Sequence, residues 1–199
     1  MKQSIFIFLL TLVLLPAWAQ DEAGNTPLSS PRLAVKTNLL YDATTTFNLG
    51  LEVRLKNRYT LDIPVNYNPF TYSGNKKLKH ILVQPELRYW FCEPFFSHFI
   101  GVHALYANYN VGAIKLPLNL YPGLETGRYR GDIFGMGISY GYQWMLSPRW
   151  NIEATIGLGY AYTDYDRYEC KTCGKLLESG SRHYFGPTKA GISLIYIIK

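Results

Sequence analysis

The sequence predicts an all-β fold, an eight-stranded antiparallel up-and-down transmembrane β-barrel, on three observations. Apolar residues alternate with polar or small residues in eight stretches, and this period of two is typical of strands whose two faces differ. Short and long connections join these stretches alternately, as in outer-membrane barrels. Aromatic residues make up 16% of the chain and charged residues only 17%, whereas ordinary soluble domains carry about 25% charged residues.

The N-terminal residues 1–19 are interpreted as a signal peptide. Lys2 supplies a positive start, residues 5–15 form an apolar run, and residues 17–19 form a small-x-small cleavage signal. Residues 20–32 are polar and contain two prolines, so we interpret them as a flexible periplasmic leader. The barrel domain is then expected at residues 33–199, in the outer membrane and with both termini in the periplasm.

The eight expected strands follow in order along this domain. They lie at residues 33–41, 47–55, 59–67, 81–91, 99–109, 129–145, 150–163 and 183–198. Short turns follow strands two, four and six, at residues 56–58, 92–98 and 147–149. The first outer connection, residues 42–46, is also short, and long loops follow strands three, five and seven, at residues 68–80, 110–128 and 164–182. The long loops therefore share the outer rim, and function is expected in them.

The side chains opposite the apolar ones indicate which face is inside. In strands six and seven they are mainly glycine, alanine and serine, which fit the narrow bore of an eight-stranded barrel. The other strands place polar groups of both charge signs on that face, where they can pair across the bore. The expected network comprises Lys36, Glu52, Arg54, Asp62, Gln84, Glu86, Arg88, His103, Glu153 and Lys189. No porin-like channel is expected.

The apolar face is then expected to form a belt against lipid. Tryptophan and tyrosine prefer the headgroup level, so we expect one girdle at the short turns and one towards the long loops. The turn girdle would contain Trp90, Trp144 and Trp150, and the outer girdle Tyr41, Tyr67, Tyr160 and Tyr162. The alternative is a soluble secreted β-sandwich or lipocalin-like barrel with an apolar core.

A CxxC motif at Cys170 and Cys173 lies inside the last long loop. A short disulfide in an oxidising envelope is the favoured interpretation. Half of a zinc site, with His183 as a third ligand, and a redox motif are the alternatives. The third cysteine, Cys92, lies in a turn, where it is expected to be a small buried residue rather than an intermolecular bridge. No cofactor and no metal ion are expected.

Lys76, Lys77 and Lys79 form a basic run in the second outer loop. They are candidates for contact with lipopolysaccharide phosphates, or they form a solvated loop tip. Elsewhere the net charge of +6 is scattered along the sequence, which gives no support to a nucleic-acid partner.

A lipid-modifying enzyme embedded in the barrel is the alternative function. It would need a nucleophile, a base and an orienting carboxylate within reach of one another. Ser181, His183 and Glu178 in the last loop are the candidates, with Ser97 and His98 as a second pair. Such residues also occur in any polar loop, so no catalytic residue is expected.

Three stretches carry a resemblance to a known family: TNLLYDATTTFNLGLEVRL at residues 37–55, PELRYW at residues 85–90 and ECKTCGK at residues 169–175. The chain resembles, from about residue 34 to its end, a family from the Bacteroidetes catalogued only as a domain of unknown function. Members of that family look like small outer-membrane barrels, similar in architecture to the transmembrane domain of outer-membrane protein A. They are often encoded beside fimbrillin-type pilus genes.

This resemblance implies a structural or surface-binding module, with a role in fimbria assembly or anchoring. The partners it implies are outer-membrane lipid, lipopolysaccharide, and fimbrial or other cell-surface proteins. It supplies no catalytic residues.

Overall fold

In the computed structural model, the described residues are 31–72, 76–112, 127–169 and 174–198. They form one antiparallel sheet of ten strand segments and one short helix. The elements are β1 (Leu33–Asn38), α1 (Leu39–Ala43), β2 (Phe47–Lys56), β3 (Tyr59–Asn68), β4 (Thr71–Tyr72), β5 (Lys76–Val83), β6 (Glu86–Trp90), β7 (Ser97–Gly112), β8 (Gly127–Met145), β9 (Trp150–Glu169) and β10 (Leu176–Ile198). Among these residues, no helix is long and apolar enough to cross a membrane.

The sheet closes into a ring, because β1 pairs with β2 on one side and with β10 on the other. β5 and β6 act as one strand, since their register with β3 and β7 continues unbroken across Gln84 and Pro85. The interruption falls at a proline, which has no N–H to donate to the ladder. The ring therefore has eight strands. The prediction of an all-β antiparallel fold with eight strands is confirmed to that extent.

The prediction of a loop at residues 164–182 is wrong for most of these residues, because they belong to strands. β9 continues to Glu169 and β10 begins at Leu176, with Tyr168 paired to Leu176. These strand ends could not be predicted from the sequence because both of their faces are polar. A strand without an apolar face has no alternating hydrophobicity. The loop predicted at residues 68–80 likewise contains β4 and the start of β5.

The first predicted strand is too long, since β1 ends at Asn38 and α1 follows. The Asn38 side chain accepts a hydrogen bond from the Leu40 amide at 3.1 Å, which is the contact of a helix N-cap. A helix of five residues is too short to show a 3.6-residue period. Tyr41, predicted for the outer aromatic girdle, lies in this helix and lines an interior cavity instead.

An apolar plug fills the ring at its turn end. Its side chains are those of Ala34, Trp90, Phe95, Phe99, Ile195 and Ile197, all of them buried. Trp90 was predicted for the girdle, and that prediction was wrong because residues 88 and 90 share the inward face of β6. Its indole Nε1 donates to the Thr60 hydroxyl at 2.9 Å.

Phe95 reaches the plug from the turn between β6 and β7. Its φ of 67° lies in the left-handed region. This backbone conformation is unfavourable for a bulky residue, so contacts with the surrounding structure must maintain it. The Asn151 side chain donates to the Phe95 carbonyl at 2.9 Å and fixes the turn against β9. The turn that the sequence marked only as a connection thus closes one end of the ring.

The outside of the ring is covered by large apolar side chains. Met136 and Ile138 on β8 are both 67% exposed. The same outward set includes Leu49, Leu51, Ile63, Val65, Leu87, Ile100, Val102, Ile156, Leu158 and Ile192.

Candidate functional site

Seven charged side chains meet inside the ring and form what we call the ionic cluster. Its members are Lys36, Glu52, Asp62, Glu86, Arg88, Glu153 and Lys189. They come from six different strands, namely β1, β2, β3, β6, β9 and β10. Glu52 and Glu86 have no exposed surface, and Arg88 is 1% exposed. All seven belong to the polar network expected from the sequence.

Arg88 lies at the centre of the ionic cluster. Its Nε donates to Glu86 at 2.7 Å, and its Nη2 donates to Asp62 at 2.8 Å. Its Nη1 donates to Glu52 at 3.0 Å and to Glu153 at 2.8 Å. A single guanidinium therefore binds four carboxylates, each from a different strand. This use of all its donors matches the planar fork of arginine, which a lysine could not imitate.

Two lysines complete the cluster. Lys36 Nζ lies 2.5 Å from Glu52 and 3.4 Å from Asp62. Lys189 Nζ lies 2.7 Å from Glu86 and 3.8 Å from Asp62. Four carboxylates thus face three cations, and the cluster is close to neutral. Each charged group is thus paired with at least one group of opposite sign, which offsets the cost of burying it.

The register explains why the cations are needed. Asp62 is paired directly with Glu52 on β2 and with Glu86 on β6. Like charges at directly opposed positions destabilise a sheet, and burial away from water increases the repulsion. Arg88 lies on β6 two residues after Glu86, so its side chain is on the same face. From there it can reach the carboxylates of Glu52, Asp62 and Glu86.

Glycines on the inward face leave room for large neighbours. A Cβ added to Gly137 would lie 2.8 Å from the imidazole of His103. A Cβ added to Gly141 would collide with the ring of Phe99. The small residues of β8 are therefore matched to particular side chains of β7, which the sequence indicated only in general terms.

Three further residues of the expected network lie outside the ionic cluster. His103 is buried, and its Nε2 lies 2.9 Å from the Thr188 hydroxyl. Gln84 donates from Nε2 to the Thr188 carbonyl at 2.9 Å. Arg54 is only half-buried near the turn end of β2, and it takes no part in the ion pairs found among the described residues.

A polar cavity of about 30 Å³ lies beside the ionic cluster. Asp62 Oδ1 and Asn66 Nδ2 are buried there without a hydrogen-bond partner, and a water molecule would satisfy both in a space of this size. Tyr41 of α1 also lines it. The cavity is too small for a solute.

The structure describes one of the three cysteines and the three lysines of the basic run. Cys170 and Cys173 lie outside the described residues. Cys92 is exposed, so the expectation of a small buried residue was wrong. Lys76, Lys77 and Lys79 belong to β5, which pairs with β4 and β7, so they do not form a loop tip. Among the described residues, no group of three or more His, Cys, Asp or Glu is placed to hold a metal ion.

The candidate catalytic residues are not brought together. Ser181 and His183 share the outer face of β10, and the His183 ring bonds the Tyr160 hydroxyl. Glu178 lies on the opposite face, where Tyr165 donates to its carboxylate at 3.4 Å. In the second pair, Ser97 and His98 are consecutive strand residues that point to opposite sides of β7.

The last parts of β8, β9 and β10 next to the long connections pair with one another past the ends of β1 and β2, alongside the end of β7 and the start of β5. We call residues 127–134, 162–169 and 176–184 the projecting ribbon. On its inner face the rings of Tyr129 and Tyr165 lie 5.7 Å apart. The Arg167 guanidinium lies 5.9 Å from the Tyr129 ring, and that of Arg182 lies 5.3 Å from the Tyr165 ring. Sequence reasoning missed this tyrosine–arginine patch, although tyrosine and arginine recur there at alternate positions.

Comparisons with known proteins give a family and no activity. A family model described as "Protein of unknown function (DUF3575)" matches residues 5–198. Neither the curated proteins nor the solved structures provide a match.

Proposed function

We propose that this chain, which belongs to the DUF3575 family of proteins of unknown function, is a small non-porin outer-membrane β-barrel. In this proposal it acts as a structural or surface-binding module. Its belt faces lipid, its filled bore conducts nothing, and its projecting ribbon contacts a partner at the cell surface.

The observation that carries the proposal is the inverted polarity of the ring. Met136 and Ile138 are exposed on the outside, whereas Glu86 and Arg88 are buried inside. A soluble protein rarely buries a cluster of charged side chains while it exposes a continuous apolar surface. Hydrocarbon around the ring would cover that surface and leave the polar groups together in the interior, which is the arrangement of a membrane barrel.

The height of the apolar belt supports the same proposal. On β8 the outward residues from Phe134 to Trp144 are large and apolar or aromatic. Ten residues at about 3.3 Å each span about 33 Å along the strand. A strand tilt of about 40° reduces this to about 25 Å along the membrane normal, the height of the apolar band in such barrels.

Aromatic pairs mark both ends of this belt. At the turn end Tyr142 and Trp144 lie 4.6 Å apart, and at the other end Tyr106 and Phe134 lie 5.0 Å apart. Such rings prefer the level of lipid headgroups. The turn end would then face the periplasm and the projecting ribbon the cell exterior.

The projecting ribbon is the proposed contact surface. From Tyr162 to Glu169, β9 runs about 23 Å beyond the belt at about 3.3 Å per residue. Its tyrosine–arginine patch, in which Arg182 is exposed and Tyr165 is buried, combines residue types that are common in protein-binding hot spots. A fimbrial subunit or another cell-surface protein is the proposed partner, as the family resemblance implies.

Cell fractionation tests the membrane assignment. We expect the full chain in the detergent-extracted envelope, and we expect unheated samples to migrate differently from boiled ones in SDS gels, as folded barrels do. Recovery in the periplasmic extract would contradict the proposal and favour a soluble binding protein.

Shortening the ribbon tests the binding role. Replacing residues 165–180 by an Asn-Gly turn joins the paired residues Asp164 and Ser181 and removes Tyr165 and Arg167. The shortened chain should still insert but should no longer co-purify with a surface protein from native envelopes. If the same proteins co-purify with the shortened chain, the ribbon is not the contact surface. Ser181→Ala and His183→Ala test the enzymatic alternative, since unchanged lipid A in mass spectra is expected and an altered profile would favour an enzyme.

A further inference from the structure

We propose a binding site for one phospholipid of the inner leaflet on the outer face of β6, β7 and β8. The acyl chain would occupy an apolar groove, and the phosphate would bind between Arg58 and His98. This inference rests on the proposed membrane location and adds a specific ligand to it.

The groove has a volume of about 530 Å³ and an almost entirely apolar lining. Its lower row, nearer the turns, consists of Tyr59, Tyr89, Ile100, Tyr140 and Ile156, which are paired in register across five strands. Its upper row consists of Leu87, Val102, Ile138 and Leu158, again paired in register. The volume lies in the range of ligand sites.

Two basic side chains contact tyrosines that line the turn end of the groove, without lining it themselves. Arg58 Nη1 donates to the Tyr89 hydroxyl at 3.5 Å. His98 Nδ1 lies 2.6 Å from the Tyr140 hydroxyl. Tyr89 and Tyr140 stand two strands apart on either side of Ile100, a separation of about 10 Å between backbones. The two basic side chains therefore flank one end of the groove.

The surrounding charge favours an anionic headgroup at this end. The exposed charged residues that precede β1, end β2 or lie in the three described turns are Arg32, Lys56, Arg58, Glu93 and Arg149. Only one of these five is acidic, so the turn rim is positive. The opposite end of the groove is bounded by aliphatic side chains at the middle of the belt. A ligand with one anionic and one hydrocarbon end fits this polarity.

The position of the basic groups selects phospholipid over lipopolysaccharide. Arg58 and His98 lie at the turn rim, which faces the periplasm in the proposed orientation. Phosphates at that level belong to phospholipids, whereas those of lipopolysaccharide lie at the opposite rim. The phosphate would accept charge-assisted hydrogen bonds from Arg58, which are stronger than neutral ones.

A matched cation lies elsewhere on the same rim. Arg149 Nη1 lies 3.4 Å from the Tyr196 hydroxyl, as Arg58 lies beside Tyr89, but Tyr196, unlike Tyr89, does not line the groove. Arg149→Gln therefore removes a rim charge without touching the proposed site.

Native mass spectrometry of the full chain in maltoside detergent, titrated with phosphatidylglycerol, tests the site. We expect one tightly bound lipid on the unchanged chain. Arg58→Gln and His98→Gln should together weaken binding about tenfold, the equivalent of one lost charged hydrogen bond. Val102→Trp, or Val102→Phe if the larger ring impairs folding, should weaken it similarly by filling the groove. Arg149→Gln should change it less than about twofold.

Two competitors test whether binding needs both the phosphate headgroup and the acyl chain of the lipid. Glycerophosphoglycerol carries the headgroup without acyl chains, and excess maltoside offers a chain without phosphate, so neither should displace the lipid. Absence of a stoichiometric lipid, an equal loss with Arg149→Gln, or displacement by the headgroup alone would overturn the inference. Envelope location and heat-dependent gel migration report on the proposed function separately, so failure of the lipid site is distinguishable from failure of the membrane assignment.

Discussion

The guanidinium of Arg88 donates two hydrogen bonds to the carboxylate of Glu153, at 2.8 and 3.2 Å. The two residues lie on β6 and β9, which are three strands apart in the ring and share no backbone hydrogen bonds. This contact therefore ties opposite walls of the ring together. Its strength depends on the whole ionic cluster, because removal of one member leaves the others buried and unpaired.

Arg88→Met should lower the free energy of unfolding by about 3 to 5 kcal/mol, because it leaves four buried carboxylates with only two lysines. Denaturant titration in detergent micelles, followed by tryptophan fluorescence, measures this change. Arg130→Met on the exposed face of the projecting ribbon is the matched control, with an expected change below about 0.5 kcal/mol. Equal effects of the two substitutions would contradict the role assigned to Arg88.

Gly141→Ala should destabilise the ring because the added methyl group collides with the ring of Phe99. We expect a loss of about 1 to 3 kcal/mol, as is typical of overpacking. Phe99→Leu shortens the colliding side chain, so the double variant should recover part of that loss. The coupling free energy from a double-mutant cycle checks this, and strictly additive losses would show that the two residues do not compete for space.

A lysine scan at two depths distinguishes lipid from water outside the ring. Ile138→Lys, at the middle of the belt, should cost about 2 to 4 kcal/mol in lipid vesicles. Phe185 is 80% exposed and is paired with Tyr160 at the outer end of the belt, so Phe185→Lys should cost only about 0 to 1 kcal/mol. Ile138→Ala and Phe185→Ala control for the lost side chains. Similar small costs at both depths would mean that the belt faces water.

The filled interior should prevent conduction. In planar lipid bilayers we expect no steady porin-like current from the unchanged chain, because the apolar plug and the ionic cluster occupy the bore in succession. Phe95→Ala removes one part of the plug but leaves the ionic cluster in place, so this variant should conduct no steady current either. A sustained open-channel current from either protein would contradict the assignment of a closed bore.

Much of the fold could be predicted because the alternation of side chains is a local property of each strand. Ile138 and Leu158 alternate with glycine, and Glu86 and Arg88 flank Leu87. A period of two fixes which of these share a face, without knowledge of any partner strand. Trp90 follows the same rule, and its inward position was predictable from Arg88.

The ribbon and the entry of Phe95 into the plug could not be predicted by this means. Residues 164–182 are polar on both faces, so no hydrophobic period separates strand from loop there. Phe95 enters the plug through a turn held by Asn151, a residue of another strand.

The sequence by itself determined the two faces of each strand and hence the charges that meet inside the ring. Only the tertiary structure decided that Arg88 binds four carboxylates, that Phe95 closes the turn end, and that Arg58 and His98 flank one groove. The physical reason is register, since contacts across strands depend on how far each strand is shifted along its neighbour. Strand pairing and ring closure set that shift, and no single strand encodes it.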